Sequence, residues 1–349
     1  MDDARLVVLN ARDAADRGAQ VRTRCPVTAL ARDAGGWRIE TPQGMFRAAT
    51  VIDAAGPAVL DVLGKAHEET GKRMRLVRGS HIVVHQLCDH GFAYFFQLPD
   101  GRIFFAIPWE RDFTLIGTTD RDHTGPLADI RASDEEVAYL CEGASRYFQR
   151  PVTPADVVWT YSGVRPLIDD GSGKPEAATR GYTLELSAEA EGAALLGVFG
   201  GKITTYRHLA QEAVDLLAGR LPALAGPRWT ADAALPGGDF PLDGLPMLVA
   251  DLQARYPFLE PAWADRLAHA HGTQAAAILG DAASLADCGQ HFGHGLTERE
   301  VRHLVAREWA RTAEDVLWRR SKLGLRVSAE DKASLARYME EKTRGIELA

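Results

Sequence analysis

Along the chain, hydrophobic positions group into two kinds of pattern, and the change from one to the other is sharpest at residues 195–207. Leu195-Leu196-Gly197-Val198-Phe199 is an apolar run short enough for one buried strand. It breaks at Gly200-Gly201, and Leu209, Ala210, Ala213, Leu216 and Leu217 then recur at helical spacing. The pattern predicts a strand, a tight turn and a helix start. Two glycines allow close approach to the backbone, and the first-turn N–H groups lack intrahelical partners. The helix dipole adds partial positive charge, so the corner suits a phosphate, with Lys202, Thr204 and Thr205 as further donors. A plain turn with Thr204 as N-cap fits the same residues.

Upstream, Leu6, Val7, Leu9, Ala14 and Ala15 mark a helix capped by Asp2 or Asp3 and ending near Gly18. Short alternating runs at 21–24, 27–31, 37–40 and 45–47, separated by Asp33-Ala34-Gly35-Gly36 and Pro42-Gln43-Gly44, predict a small meander. It leads to a buried strand, residues 50–57, that ends in Ala54-Ala55-Gly56-Pro57. Longer β-rich runs follow at 78–84, 93–98, 103–108 and 113–119, with Asp100-Gly101-Arg102 as a hairpin signal. Ser133 and Glu136 form a capping box for a helix. Strand pattern returns at 157–167 and 179–186 across a polar loop, residues 169–178. Beyond a Pro/Gly-rich linker, helical pattern dominates at 248–255, 263–271, 274–279, 298–308, 312–319 and from Ser328.

The predicted fold class is α/β plus α+β. A nucleotide-binding half, residues 1–57 and 191–220, carries an inserted, mostly antiparallel sheet, residues 58–190. A linker, residues 221–234, leads to a helical domain, residues 235–349.

Composition narrows the function classes. With 46% hydrophobic and 25% charged residues in 349, the chain has the balance of a globular protein. Its net charge of −8 argues against broad nucleic-acid binding. Four cysteines without CxxC pairing indicate neither a disulfide framework nor a zinc site and fit a reducing, intracellular setting. No run approaches a membrane span, and the acidic N-terminus is unlike a signal peptide. The P-loop, HExxH and GxSxG motifs are absent. His81 and His85 stand at i, i+4 within a strand pattern, too far apart to share a metal. His269, His271, His291 and His294 read as surface or packing residues, and no metal is indicated.

Arg165, in an otherwise apolar strand, needs an anionic partner because an unpaired buried charge is costly. That partner is either an internal carboxylate or a ligand carboxylate or phosphate, with Arg180 a second candidate. Ser80-His81, after Gly79, places an imidazole where a pocket mouth could lie; a satisfied structural histidine is the alternative.

Five segments taken together resemble the FAD-dependent glycerol-3-phosphate dehydrogenases: residues 79–84, 107–109, 116–120, 159–167 and 199–207. Leu235-Pro236-Gly237-Gly238, residues 255–259 and Leu317-Trp318-Arg319-Arg320 resemble that family's helical cap. The resemblance implies a glutathione-reductase-like FAD domain, incomplete here because no GxGxxG occurs and the chain starts at what is an internal helix of the family. It implies FAD as cofactor, with Gly200, Gly201, Lys202, Ile203 and Thr204 against the flavin and pyrophosphate, Ala55 and Gly56 beside them, and Val27 near adenine. It implies Arg165 as the substrate-binding arginine, with Arg180, Lys202 and Ser80 helping to hold glycerol 3-phosphate, and His81 as the base. A quinone acceptor, a homodimer and peripheral contact on the inner face of the cytoplasmic membrane come only from the resemblance. An oxidase using oxygen, and a flavin-free remnant that binds an anion or a partner, remain open at this point.

Overall fold

The computed structural model describes residues 2–33, 35–169, 181–187 and 193–343. Arg180 and most of the polar loop expected at 169–178 lie outside the described residues. The chain divides into two compact units, Cys25–Arg228 and Met1–Arg24 with Trp229–Ala349.

Helix α1 spans Asp3–Asp16 and is capped by Asp2, whose carboxylate accepts the Arg5 N–H at 3.1 Å. Sequence pattern assigned it to the nucleotide-binding half, but it belongs to the helical unit. The cause is Arg5, which is buried and ion-paired with Glu308.

In the other unit, β1 (Ala29–Asp33), β2 (Gly36–Thr41) and β3 (Gly44–Ala48) form the expected meander. The run at 21–24 is no strand; Arg24 has a φ of 55° and takes part in no pairing. Trp37 is fully buried and its indole N–H donates to the Ala194 carbonyl at 3.0 Å. Strand β4 is short, Val51–Asp53, and leads through Gly56–Ala58 into a helix that was not anticipated, α2 (Val59–Lys65). Val59 and Leu63 of α2 pack with Leu30, Trp37, Leu195 and Phe199. Those contacts tie α2 to the meander core, against which Met74 and Ile168 of the inserted sheet also pack.

The inserted sheet holds β5 (Met74–His85), β6 (Tyr94–Gln97), β7 (Ile103–Trp109), β8 (Phe113–Gly117), β9 (Arg121–Asp122) and β10 (Val157–Ile168). Its order is β10-β5-β8-β7-β6 with β9 pairing β5, and every pairing is antiparallel. Strand alternation gives it two faces. Ile82, Val84, Phe104, Ala106 and Ile116 turn toward α3 (Asp134–Ser145) and pack on Leu140, Cys141 and Ala144. The opposite face carries His81, Arg165, Tyr161, Trp159, Trp109 and Phe105, as the register of β5, β7, β8 and β10 requires.

Strand β11 (Tyr182–Leu186) pairs antiparallel with β12 (Leu195–Gly200), and β12 pairs parallel with β4. The expectation that residues 179–186 belong with the inserted sheet is corrected: β11 is the third strand of the β4–β12 sheet. Helix α4, Tyr206–Ala218, follows β12 after one 3-10 turn, Ile203–Thr205.

The helical unit contains α5 (Leu245–Arg255), α6 (Pro261–His271), α7 (Gln274–Leu279), α8 (Glu298–Glu308) and α9 (Ala329–Thr343), close to the predicted bounds. The pattern at 312–319 forms a π-helical turn, Asp315–Arg320. Leu252, Tyr256, Trp263 and Leu267 make one core, and Phe292, Val301, Leu304 and Leu335 another.

Candidate functional site

Because β4 and β12 are parallel neighbours, with Asp53 opposite Gly197, the corners that follow them open at the same sheet end. In sheets of this kind ligands bind outside the carboxyl ends of the strands. Gly56 has a φ of 55°, Gly200 of 73° and Gly201 of 102°, conformations that favour glycine. A side chain on Gly200 would run into the Gly181 carbonyl. Lys202 and Thr204 are exposed, and Ile203 is half-buried. Thr204 is not the cap of α4: Thr205 occupies that position, and its hydroxyl donates to the Lys202 carbonyl at 3.1 Å. The helix-start N–H groups therefore carry no side-chain cap. Two corners of bare backbone beside a helix start form a cradle that fits the pyrophosphate of a dinucleotide such as FAD.

The end of β10 touches both corners. Pro166 lies 4.0 Å from where a Cβ on Gly56 would stand, and Ile168 lies 3.7 Å from the same position on Gly200. Arg165 immediately precedes this contact. Its Nη1 donates to Asp120 Oδ1 at 2.7 Å and its Nη2 to the Thr118 hydroxyl at 3.0 Å. The internal carboxylate foreseen as one alternative for Arg165 is thus Asp120.

Three glycines on the same sheet face shape the space around Arg165. A methyl group on Gly79 would occupy the volume of the Arg165 guanidinium, and one on Gly117 would collide with the His81 ring. Gly163, opposite Gly79 in the register, faces open space. Since Arg165 folds back over Gly79, its guanidinium is two residues along β5 from His81. That spacing is about 6.6 Å in an extended strand. The open space at Gly163 therefore lies beside the Arg165 guanidinium, between Tyr161 and Arg165 on β10, with His81 on the same sheet face behind the Tyr161 ring.

His81 stacks on Tyr161, its pairing partner across β5 and β10. Its Nδ1 is buried with no hydrogen-bond partner among the described residues. Burial first, and the nearby Arg165 charge second, push its pKa down to about 4, so the ring is neutral at physiological pH.

Ser80, expected to touch substrate, does not belong to this sheet face. Adjacent strand residues face opposite ways, so Ser80 points to the α3 side and is fully buried. Its hydroxyl donates to Glu136 Oε1 at 3.0 Å and shares a 2.8 Å hydrogen bond with Ser162. Burial alone would raise the Glu136 carboxyl. Hydrogen bonds from Thr119, Ser133 and Ser80, with the Arg78 charge, hold it below its ordinary value. Val27 lies ahead of β1, half-buried, with its side chain packed against the Leu30 and Trp37 core.

Sequence reasoning assigned no role to Asp53, Asp120, Thr118, Tyr161 or Gly163. Asp53 carried a visible signal, an acid inside Val51-Ile52-Asp53-Ala54-Ala55. It is 3% exposed; Oδ1 accepts the Ala55 N–H at 3.1 Å, while Oδ2 has no partner among the described residues. Burial, aided by Asp61 and opposed by the Ala55 hydrogen bond, pushes its pKa up to about 6.

Residues 1–207 match the FAD dependent oxidoreductase family, and residues 228–343 match the C-terminal domain of alpha-glycerophosphate oxidase. A glycerol-3-phosphate dehydrogenase of Pseudomonas aeruginosa is 42% identical over 346 residues, 97% of this chain and 67% of that protein. The aerobic glycerol-3-phosphate dehydrogenase of Escherichia coli is 39% identical over 350 residues, 98% of this chain and 70% of that protein. A D-erythritol 1-phosphate dehydrogenase of Brucella abortus is 41% identical over 347 residues, 97% of this chain and 69% of that protein. The glycerol-3-phosphate dehydrogenase of Bacillus halodurans, solved with FAD, superposes with a TM-score of 0.85 at 27% identity, covering 99% of this chain and 69% of that one. The chain belongs to the FAD-dependent glycerol-3-phosphate dehydrogenase family.

Proposed function

We propose that the chain oxidises sn-glycerol 3-phosphate at C2 to dihydroxyacetone phosphate, using FAD. The observation that supports this most is the open space at Gly163 beside the Arg165 guanidinium, with the neutral imidazole of His81 on the same sheet face. Gly200, Gly201, Lys202, Ile203 and Thr204 would hold the cofactor from one corner and Ala55 and Gly56 from the other. Val27 would offer its backbone to adenine. Bound FAD supplies the two-electron acceptor for the hydride leaving C2.

The chain's own residues supply position and charge. Arg165 takes the substrate phosphate through charge-assisted hydrogen bonds, and Lys202 adds a second cation. Asp120 and Thr118 hold the guanidinium over Gly79 when substrate is absent. His81 accepts the proton of the C2 hydroxyl. A pKa near 4 makes it a weak base for an alcohol, but loss of hydride turns that hydroxyl into a protonated carbonyl, which any neutral imidazole deprotonates readily.

Electrons leaving to a membrane quinone, a peripheral seat on the inner face of the cytoplasmic membrane and a homodimer complete the reading. No helix of the described residues is long and apolar enough to cross a membrane. The assay is glycerol 3-phosphate oxidation by the FAD-loaded chain with a soluble quinone analogue, measuring dihydroxyacetone phosphate and hydrogen peroxide together. Quinone-dependent product without peroxide supports a dehydrogenase. Peroxide equal to product makes it an oxidase, and no product in either arm refutes the proposal.

A further inference from the structure

Three side chains of types that ligate metals meet inside the helical unit, none of them given a role above. His271 ends α6, and His303 and Glu308 lie on α8. One ligand atom of each falls within 4.8 Å of the other two. Glu308 Oε1 is 3.5 Å from His303 Nε2 and 3.9 Å from His271 Nδ1. In a tetrahedral zinc site with ligand bonds of 2.0–2.2 Å, donor atoms stand about 3.4 Å apart. The two Glu308 pairs are within about half an ångström of that spacing, and the histidine pair has to close by at most about 1.4 Å.

The protonation pattern is the one a metal-ligating histidine requires. His271 Nε2 lies 3.0 Å from Glu300 Oε1. Arg266 donates to both Glu300 oxygens at 2.7 Å, the pairing of a guanidinium with a carboxylate. An ionised carboxylate only accepts, so the imidazole proton is on Nε2. Nδ1 is then the nitrogen turned toward the cluster. The His271 side chain is only 2% exposed, and Nδ1 has no hydrogen-bond partner among the described residues. A carboxylate behind a histidine whose other nitrogen carries a bare lone pair is the usual support of a zinc ligand.

Glu308 is arranged to match. Arg5 pairs with its Oε2, and Arg320 Nε lies 3.7 Å from the same oxygen. The carboxylate is thereby fixed with Oε1 toward the two imidazoles. The His303 side chain, 16% exposed, gives the cluster an opening to solvent.

We propose that His271, His303 and Glu308 bind one divalent transition-metal ion of zinc type, with Glu300 and Arg266 as supporting residues and water at the fourth position. This site departs from the sequence-based expectation that His271 is a packing residue and that the chain holds no metal. The ion would join the end of α6 to α8.

The test uses the full chain, stripped with a chelator and titrated with Zn2+ by calorimetry and with Co2+ by absorption spectroscopy. The expected result is one Zn2+ per chain, an intense tetrahedral Co2+ spectrum and a raised melting temperature with Zn2+. His303→Ala, a partly exposed position, should weaken Zn2+ binding at least tenfold and abolish the Co2+ bands. His269→Ala, on the exposed face of α6, should change neither. If the His303 variant does not fold, the wild-type Co2+ spectrum decides alone, a tetrahedral one supporting the site. Zn2+ uptake below one per chain, weak octahedral Co2+ bands, or unchanged binding by His303→Ala would overturn the proposal and leave the cluster as an ion-paired core.

Discussion

The imidazole of His81 lies on the phenol ring of Tyr161, with centroids 4.7 Å apart and planes 5° from parallel. The stack fixes the ring over Gly117, where the missing side chain makes room for it. If Tyr161 acts through this stack, Tyr161→Phe should keep near wild-type kcat, whereas Tyr161→Ala should lower kcat about tenfold with little change in KM. His81→Asn removes the proton acceptor and should lower kcat by roughly 10²–10⁴. Steady-state kinetics on the three variants checks the ordering.

The pH dependence follows from the depressed His81 pKa. The ring is charged, and useless as a base, only below about 4. The acid limb of kcat/KM should therefore fall well below the ordinary histidine value of about 6.5. The stability sign is the same. Between these values the unfolded chain binds the extra proton, so His81's contribution is fully present above about 6.5 and is lost as the pH drops toward 4. An acid limb centred near 6.5 would show that His81 is not the base.

Arg165→Ala should raise KM for glycerol 3-phosphate. Hydrogen bonds to a charged group contribute about 1.5–3 kcal/mol, roughly a 10- to 100-fold effect. Arg165→Lys keeps the charge but cannot bond Asp120 and Thr118 together, and should recover only part of the loss. A KM unmoved by Arg165→Ala removes the residue from the phosphate site.

The two paired glycines separate space from structure. Gly163 faces open space, so Gly163→Val should raise KM strongly while leaving the melting temperature nearly unchanged. Gly79→Ala displaces the guanidinium and should mimic Arg165→Ala. Equal substrate affinity in Gly163→Val would place the substrate elsewhere.

Asp53 gives a stability prediction of opposite sign to that of His81. Its pKa is raised, so its contribution is full below about 3.9, the unfolded value, and is lost as the pH rises through about 6. Asp53→Asn should stabilise the FAD-free chain at pH 8 by on the order of 1–3 kcal/mol and flatten its stability between pH 4 and 6. Denaturant melts at pH 4 and pH 8 measure it.

What the sequence displayed well was anything with a period. The helices of the C-terminal unit and the long strands of the inserted sheet lie near their predicted bounds, because burial of one face imposes spacing on apolar residues. Long-range pairing was hidden. Nothing local marks β11 as a partner of β12, or α1 as a partner of α8 through Arg5 and Glu308. The site divided in the same way. Arg165, His81 and the two glycine corners were visible as anomalies within patterned runs. Ser80 was misplaced because a neighbouring position on a strand faces the other way, and Asp120 was missed because its partner is 45 residues distant.

Anaerobic titration of the FAD-loaded chain with sn-glycerol 3-phosphate tests the central claim most directly. The account predicts that the visible flavin absorption bleaches with glycerol 3-phosphate, does not bleach with glycerol at the same concentration, and bleaches in Arg165→Ala only at far higher substrate. A bound flavin that glycerol 3-phosphate leaves oxidised would contradict it.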